Sequence, residues 1–256
     1  LEEAFMFTSN PFAAAAELVS PFAMRAYVIL MAIAVAAGTL FDIYHKGSGK
    51  YFALRRERTK AAARSRLSGS QKLSLAIKTA AEAAVSGEFC KTPRRISHLL
   101  MMYGFLLYVI TTLVMVFGYA TAADTPAVLP LLWNLGALMI LAGGVWFFFF
   151  LRVNVAYEGH SPLRLVRADL FVGLLLLSAA LALLWHFVQT TFGSRAASLL
   201  FFSLYIFFTT LLFVTVPWSK FAHMFYKPAV AYQRRVEEAS GASDLPTPAG
   251  GLHCRN

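Results

Sequence analysis

Three histidines occupy positions where a neutral imidazole could do chemistry inside a membrane: His98, His186 and His223 each lie within or at the end of a long apolar run. Histidine is rare in such segments because an unpaired polar ring is costly to desolvate, so its presence there marks a candidate site. Two imidazoles from facing helices at a similar depth form a bis-histidine axial pair for a b-type haem, whose propionates require cations nearby. His98 and His223 fit that description, and Arg94, Arg95 and Lys220 are placed to supply the cations. The alternative is that both histidines cap the interfacial ends of their helices, as polar residues often do. His186, next to Trp185, has the same two readings: an interfacial Trp-His belt, or a proton donor to a quinone carbonyl beside an apolar cleft that Tyr108 and Tyr205 could line. Those tyrosines would otherwise be packing residues with satisfied hydroxyls. His45 and His160 read as loop residues without a partner, and His253 lies in the tail.

The elements that must position these residues are membrane spans. The chain has 256 residues, 58% hydrophobic and 14% charged, with a mean hydropathy of +0.61; soluble domains run at about a quarter charged. Apolar runs long enough to cross a bilayer cover about Phe22 to Tyr44, His98 to Ala120, Val128 to Leu151, Asp169 to Gln189 and Leu199 to Phe225. Pro130 stands near a helix start, where it is tolerated, and Pro217 should kink the last run or mark its exit from the hydrocarbon. The predicted fold is thus an all-α membrane protein with five transmembrane helices. Residues 1–20 form an interfacial N-terminal segment, residues 21–235 the membrane domain, and residues 236–256 a tail rich in Gly and Pro that reads as disordered. No basic segment followed by a short apolar run opens the sequence, so the first long run is expected to remain as an anchor.

Between the first two runs, residues 46–96 carry thirteen Lys or Arg against Glu57, Glu82 and Glu88. Within this segment, Leu73, Ile77, Ala80, Ala81 and Ala84 recur at helical spacing, which predicts an amphipathic helix over Gln71 to Ala84, on the membrane surface or against a partner. The positive-inside rule then places this loop, the 152–167 loop and the tail on the cytoplasmic side, with the N-terminus outside and the C-terminus inside. The net charge of +10 is mainly a topology signal, with attraction to anionic lipid second. No nucleic-acid motif accompanies it, and Cys90 and Cys254 lack metal-site spacing.

The segment Val216-Pro217-Trp218-Ser219-Lys220-Phe221-Ala222-His223-Met224 resembles the P-[YWF]-S-K-F-x-H signature ending the last span of membrane cytochrome b modules in the nitrate reductase gamma-subunit superfamily. That superfamily includes modules linked to heterodisulfide-reductase-like iron-sulfur proteins. Arg95-x-x-His98 with Gly104-Phe105 resembles the start of its second span, and Asp169-Leu170-Phe171 the start of its fourth. The resemblance implies a multi-pass subunit of the inner (cytoplasmic) membrane that carries electrons between the quinone pool and a cytoplasmic iron-sulfur or flavoprotein partner. The membrane anchor of adenylylsulfate reductase falls within this class, though the sequence does not select it. Two-haem members carry two further histidines where this chain has Tyr108 and Tyr205, so the resemblance implies one haem b, held by His98 and His223. On a continuous fifth helix Tyr205 would share a face with His223, about 27 Å away. The competing functions are a cofactor-free membrane anchor for a cytoplasmic redox enzyme and a small-solute transporter, the latter disfavoured by the absence of visible repeats.

Overall fold

A computed structural model describes residues 7–87, 89, 91–119, 121–152, 169–219 and 223–243. Among these residues the structure is all helical, and five helices have the length and apolarity of membrane spans, as a multi-pass membrane protein requires. A short α1 (Pro11–Ala14) runs into a 3-10 turn (Ala15–Glu17). The first span is α2 (Pro21–His45), capped by the Ser20 hydroxyl on the Ala23 amide and opened by Pro21, whose missing N–H costs nothing there. Two polar helices follow, α3 (Ser48–Ala62) and α4 (Gly69–Ala84), the latter started by a reciprocal capping box between Ser68 and Gln71. The remaining spans are α5 (Thr92–Gly118), α6 (Val128–Trp146) continued by a π-helical turn (Phe147–Leu151), α7 (Leu170–Thr191), and α8 (Arg195–Thr215), which tightens into a 3-10 turn (Val216–Trp218). Helix α9 (His223–Ser240) completes the described chain.

The tightest helix pair is α5 against α6, and small residues make it possible. Gly104 and Gly136 face each other so closely that a Cβ on Gly136 would stand 2.8 Å from the Tyr108 amide nitrogen and 2.9 Å from the Gly104 carbonyl oxygen. One heptad along, a Cβ on Gly143 would meet the Ser97 carbonyl at 2.8 Å, and the Ser97 hydroxyl donates to the Gly143 carbonyl at 2.8 Å. Within a bilayer, close approach of this kind with an interhelical hydrogen bond is a principal source of association, because lipid offers no hydrophobic gain for burying one apolar helix on another. Ser178 and Thr209 join α7 to α8 in the same way, with their hydroxyls 2.7 Å apart. Span α7 is the most enclosed and α2 the least. Helix α2 is tied on by Tyr27, which reaches Thr210 Oγ1 at 3.0 Å, and by Arg25, which donates to the Val116 carbonyl at 3.1 Å.

At one end of the bundle α3, α4 and α9 form a basic layer. Arg55 grips Glu237 through two hydrogen bonds of 2.8 and 2.7 Å, and the Arg55 guanidinium holds the Glu237 carboxyl below the usual glutamate range against the opposing effect of burial. Gln233 donates to Thr59 at 2.9 Å beside this pair, and Arg235 is ion-paired with Glu82.

Several sequence expectations change here. The fifth span does not continue to Phe225: it ends at the 3-10 turn that contains Pro217, and His223 opens a new helix. Pro217 has no N–H to donate to the turn before it and Ser219 leaves the 3-10 turn in an extended conformation at ψ 171°, so the shared face expected for Tyr205 and His223 on one continuous helix is lost. His45 is not a loop residue; it ends α2 and stacks on Phe41 at 5.6 Å. Helix α9 runs through Arg235 to Ser240 before Gly241 turns the chain with a φ of 71°.

Candidate functional site

His98 lies in the second turn of α5, half-buried at the basic end. Its Nδ1 is 2.8 Å from the Ser86 hydroxyl and its ring 4.9 Å from that of Phe89. Ser86 is held for this contact by an unusual backbone. Helix α4 closes with Ser86 N–H donating to the Ala83 carbonyl and Gly87 N–H to the Glu82 carbonyl. This is the helix-ending motif whose left-handed residue is usually glycine. Here that residue is a serine, at φ 49°, buried to 2% exposure. Such a strained non-glycine position costs of order 1–3 kcal/mol and persists only where its surroundings fix it. A hydrogen bond on Nδ1 holds the ring in place and leaves Nε2 free of this contact, the support that a histidine ligating through Nε2 ordinarily has.

His223 is the first residue of α9, three before Tyr226, whose hydroxyl donates to the buried Asp42 at 3.1 Å. That contact puts the start of α9 beside the end of α2, at the basic end where His98 also lies. Arg94 donates to the Leu151 carbonyl at 3.1 Å and Arg95 to the Val85 carbonyl at 2.9 Å. The first fastens α5 to the end of the third span, the second to the turn that presents Ser86. Lys220, His160, His253, Cys90 and Cys254 lie outside the described residues, as does the side chain of His223. Among the described residues no group of three or more His, Cys, Asp or Glu could hold a bare metal ion. A bis-histidine haem needs only two imidazoles, and the donor set of His98 and His223 suits it.

Ten residues further along α5, about 15 Å, the interior becomes an aromatic core. Tyr108 donates to the Tyr205 hydroxyl at 3.0 Å. Tyr108 stacks on Trp133 at 5.1 Å and Tyr205 on Trp185 at 5.7 Å. Phe12, from the N-terminal segment, sits edge-on to both tryptophans at 5.7 and 5.6 Å. No protein family, curated protein or solved structure matches the chain. Its chemistry therefore has to be read from these residues themselves.

His186 joins the aromatic core through Trp133, at 5.7 Å. It is buried, with Nδ1 3.1 Å from Asn134 Oδ1 and Nε2 3.3 Å from the Ser9 hydroxyl. Beside it Asn10 caps α1 and donates to Thr125 at 3.0 Å. The N-terminal segment thus plugs the bundle at the end opposite the basic layer. The three residues assigned to a quinone do come together, but their polar atoms are partnered within the protein, which favours their packing role. The Trp185 indole nitrogen and the Ser198 hydroxyl, both buried, lack a hydrogen-bond partner among the described residues.

Sequence reasoning missed Ser86, Asn134, Ser9 and the helix-contact glycines. The glycines had a signal, since Ser97, Gly104 and Thr111 on α5, and Gly136 and Gly143 on α6, are spaced by seven. Ser86 had none.

Proposed function

We propose that this chain is a membrane cytochrome b subunit with one b-type haem at its basic end, carrying electrons between a membrane quinone pool and a soluble iron-sulfur or flavoprotein partner. The observation that carries the reading is the Ser86–His98 contact: a buried serine in a strained backbone conformation spends its hydroxyl on one nitrogen of a membrane-end histidine. In this reading His98 and His223 would hold the haem iron, and Ser86 is a positioning residue that sets the orientation of the His98 ring. A bound haem supplies reversible one-electron exchange between ferric and ferrous iron. Arg94, Arg95 and Lys220 would offset the charge of its propionates; an arginine carries five N–H donors, so one bond to a carbonyl leaves capacity for another acceptor. The basic layer lies on the cytoplasmic side by the positive-inside rule, and its exposed α3 cations attract an acidic docking face on the partner.

The far half of the bundle supports a single haem. Trp133 and Trp185, both fully buried, stack on the tyrosines that stand where a second ligand pair would be, so the space is already filled by side chains. The same packing favours a second reading, a cofactor-free anchor that holds a soluble redox enzyme through the basic layer. The experiment that separates the two is a reduced-minus-oxidised visible spectrum of the purified protein and of His98→Ala and His223→Ala. A b-type spectrum lost in either variant, with the variant still folded by circular dichroism, supports the cytochrome. Equal spectra in all three proteins would refute the ligand assignment.

A further inference from the structure

Helix α4 has two opposite faces, and the structure covers the less apolar one. Leu75, Thr79 and Glu82 recur at i, i+4 and i+7, and this stripe meets α9: Thr79 is buried and Glu82 is ion-paired with Arg235. Leu73, Ile77, Ala80 and Ala84 have the same spacing shifted by two residues, about 200° round the helix. That stripe is open, with Leu73 62% and Ile77 60% exposed. Lys72 and Lys78 flank it about 120° to either side, and Glu82, turned toward α9, is the one acid in α4.

The position of α4 relative to the bilayer comes from α5. About 20 residues, or 30 Å, counted back from Gly118 reach His98 and Leu99. Tyr103 lies one turn deeper, on the exposed stripe of α5 with Leu106 and Ile110, and helical side chains lean toward the helix N-terminus. Its hydroxyl donates to the Ala84 carbonyl at 2.9 Å. The last turn of α4 is therefore fixed at the level where α5 leaves the hydrocarbon, next to lipid-facing side chains. We propose that α4 is an interfacial helix that lays Leu73, Ile77, Ala80 and Ala84 into the surface of an anionic bilayer. Three features select lipid as the occupant: an apolar stripe continuous with the lipid-facing side of a span, lysines on both flanks long enough to reach headgroup phosphates, and no acid of α4 itself turned toward that side. Lipid contact on one face and α9 on the other makes α4 a wedge between membrane and basic layer, and the turn that presents Ser86 to His98 is its C-terminal end.

The test uses the full chain with Cys90→Ser and Cys254→Ser, spin-labelled singly at Leu73→Cys, Ile77→Cys or Lys78→Cys. The protein is placed in nanodiscs of phosphatidylcholine with phosphatidylglycerol, and power saturation is measured with oxygen and with a water-soluble nickel chelate. All three positions are exposed, so the labels leave the packing on α9 in place. The expected result is an oxygen-to-nickel accessibility ratio several-fold higher at 73 and 77 than at 78, decreasing when phosphatidylglycerol is omitted. Equal ratios at the three positions would overturn the proposal and leave the stripe to a soluble protein partner. A ratio at 77 unchanged in pure phosphatidylcholine would overturn the preference for anionic lipid.

Discussion

Replacing Gly136 by alanine adds one methyl group at the tightest point of the α5–α6 contact. The new Cβ would stand 2.8 Å from the Tyr108 amide nitrogen, 2.9 Å from the Gly104 carbonyl oxygen and 3.1 Å from the Tyr108 Cα, against an ordinary contact of 3.4 Å or more. All three neighbours are backbone atoms, so no rotamer change relieves the overlap and the two helices must move apart by several tenths of an ångström. That separation weakens the Ser97–Gly143 hydrogen bond and the stack of Tyr108 on Trp133. Overpacking of a close-packed interior costs about 1–3 kcal/mol; at 1.4 kcal/mol per factor of ten, the unfolding equilibrium should shift roughly five- to hundredfold. The matched control is Gly173→Ala in α7, where an added Cβ meets nothing within 4 Å. Unfolding in mixed micelles at increasing SDS mole fraction, followed by tryptophan fluorescence, should place the Gly136→Ala midpoint well below the other two. Coincident curves for wild type, Gly136→Ala and Gly173→Ala would refute the reading that these glycines set the helix separation.

Three further outcomes follow from the same structure. Phe12→Ala removes a ring buried between two tryptophans and should cost about 3–5 kcal/mol, the usual price of a large-to-small change, read as faster proteolysis of the N-terminal segment; unchanged cleavage would mean that the plug is not held by this ring. The double substitution Tyr108→His with Tyr205→His should not raise the haem content of the purified protein, because Trp133 and Trp185 fill the space beside those positions; a gain of one haem per chain would contradict this. Glu237 is held below the ordinary glutamate value by Arg55, so the stability it contributes is present above about pH 4.3 and is lost as pH falls through its lowered folded pKa. Protection of α9 amides, measured as exchange relative to the intrinsic rate at each pH, should therefore fall on acidification below about pH 4, and Glu237→Gln should show the lowered protection already at neutral pH without the acid step.

Much of the fold was legible because a bilayer imposes a strict length on each apolar run, and four of the five spans lie close to where composition puts them. The exception is instructive. Phe221, Met224 and Phe225 keep the sequence apolar past Pro217, so hydropathy runs on while the backbone has already ended its helix; apolarity alone does not distinguish a span from its exit. In α4 the periodicity revealed the helix but not which face the protein covers, since the buried stripe is chosen by Thr79 and by the Glu82–Arg235 pair rather than by hydrophobicity. The histidines were conspicuous by type and depth. The partner of His98 was not, because Ser86 stands twelve residues away in a left-handed conformation that an ordinary serine in a basic loop does not announce. Tyr108 and Tyr205 were conspicuous only through the family pattern they depart from. Their mutual hydrogen bond and the stacked tryptophans depend on tertiary packing across four helices, which residue spacing along one chain does not encode.

The central claim is tested most directly by the haem content of the purified full-length protein, measured as a pyridine haemochrome against polypeptide quantified by amino-acid analysis. The account predicts a b-type haemochrome at about one haem per chain, as a single bis-histidine site requires. Absence of haem from protein folded by circular dichroism would contradict the cytochrome assignment and leave the anchor, and two haems per chain would contradict the closed aromatic core.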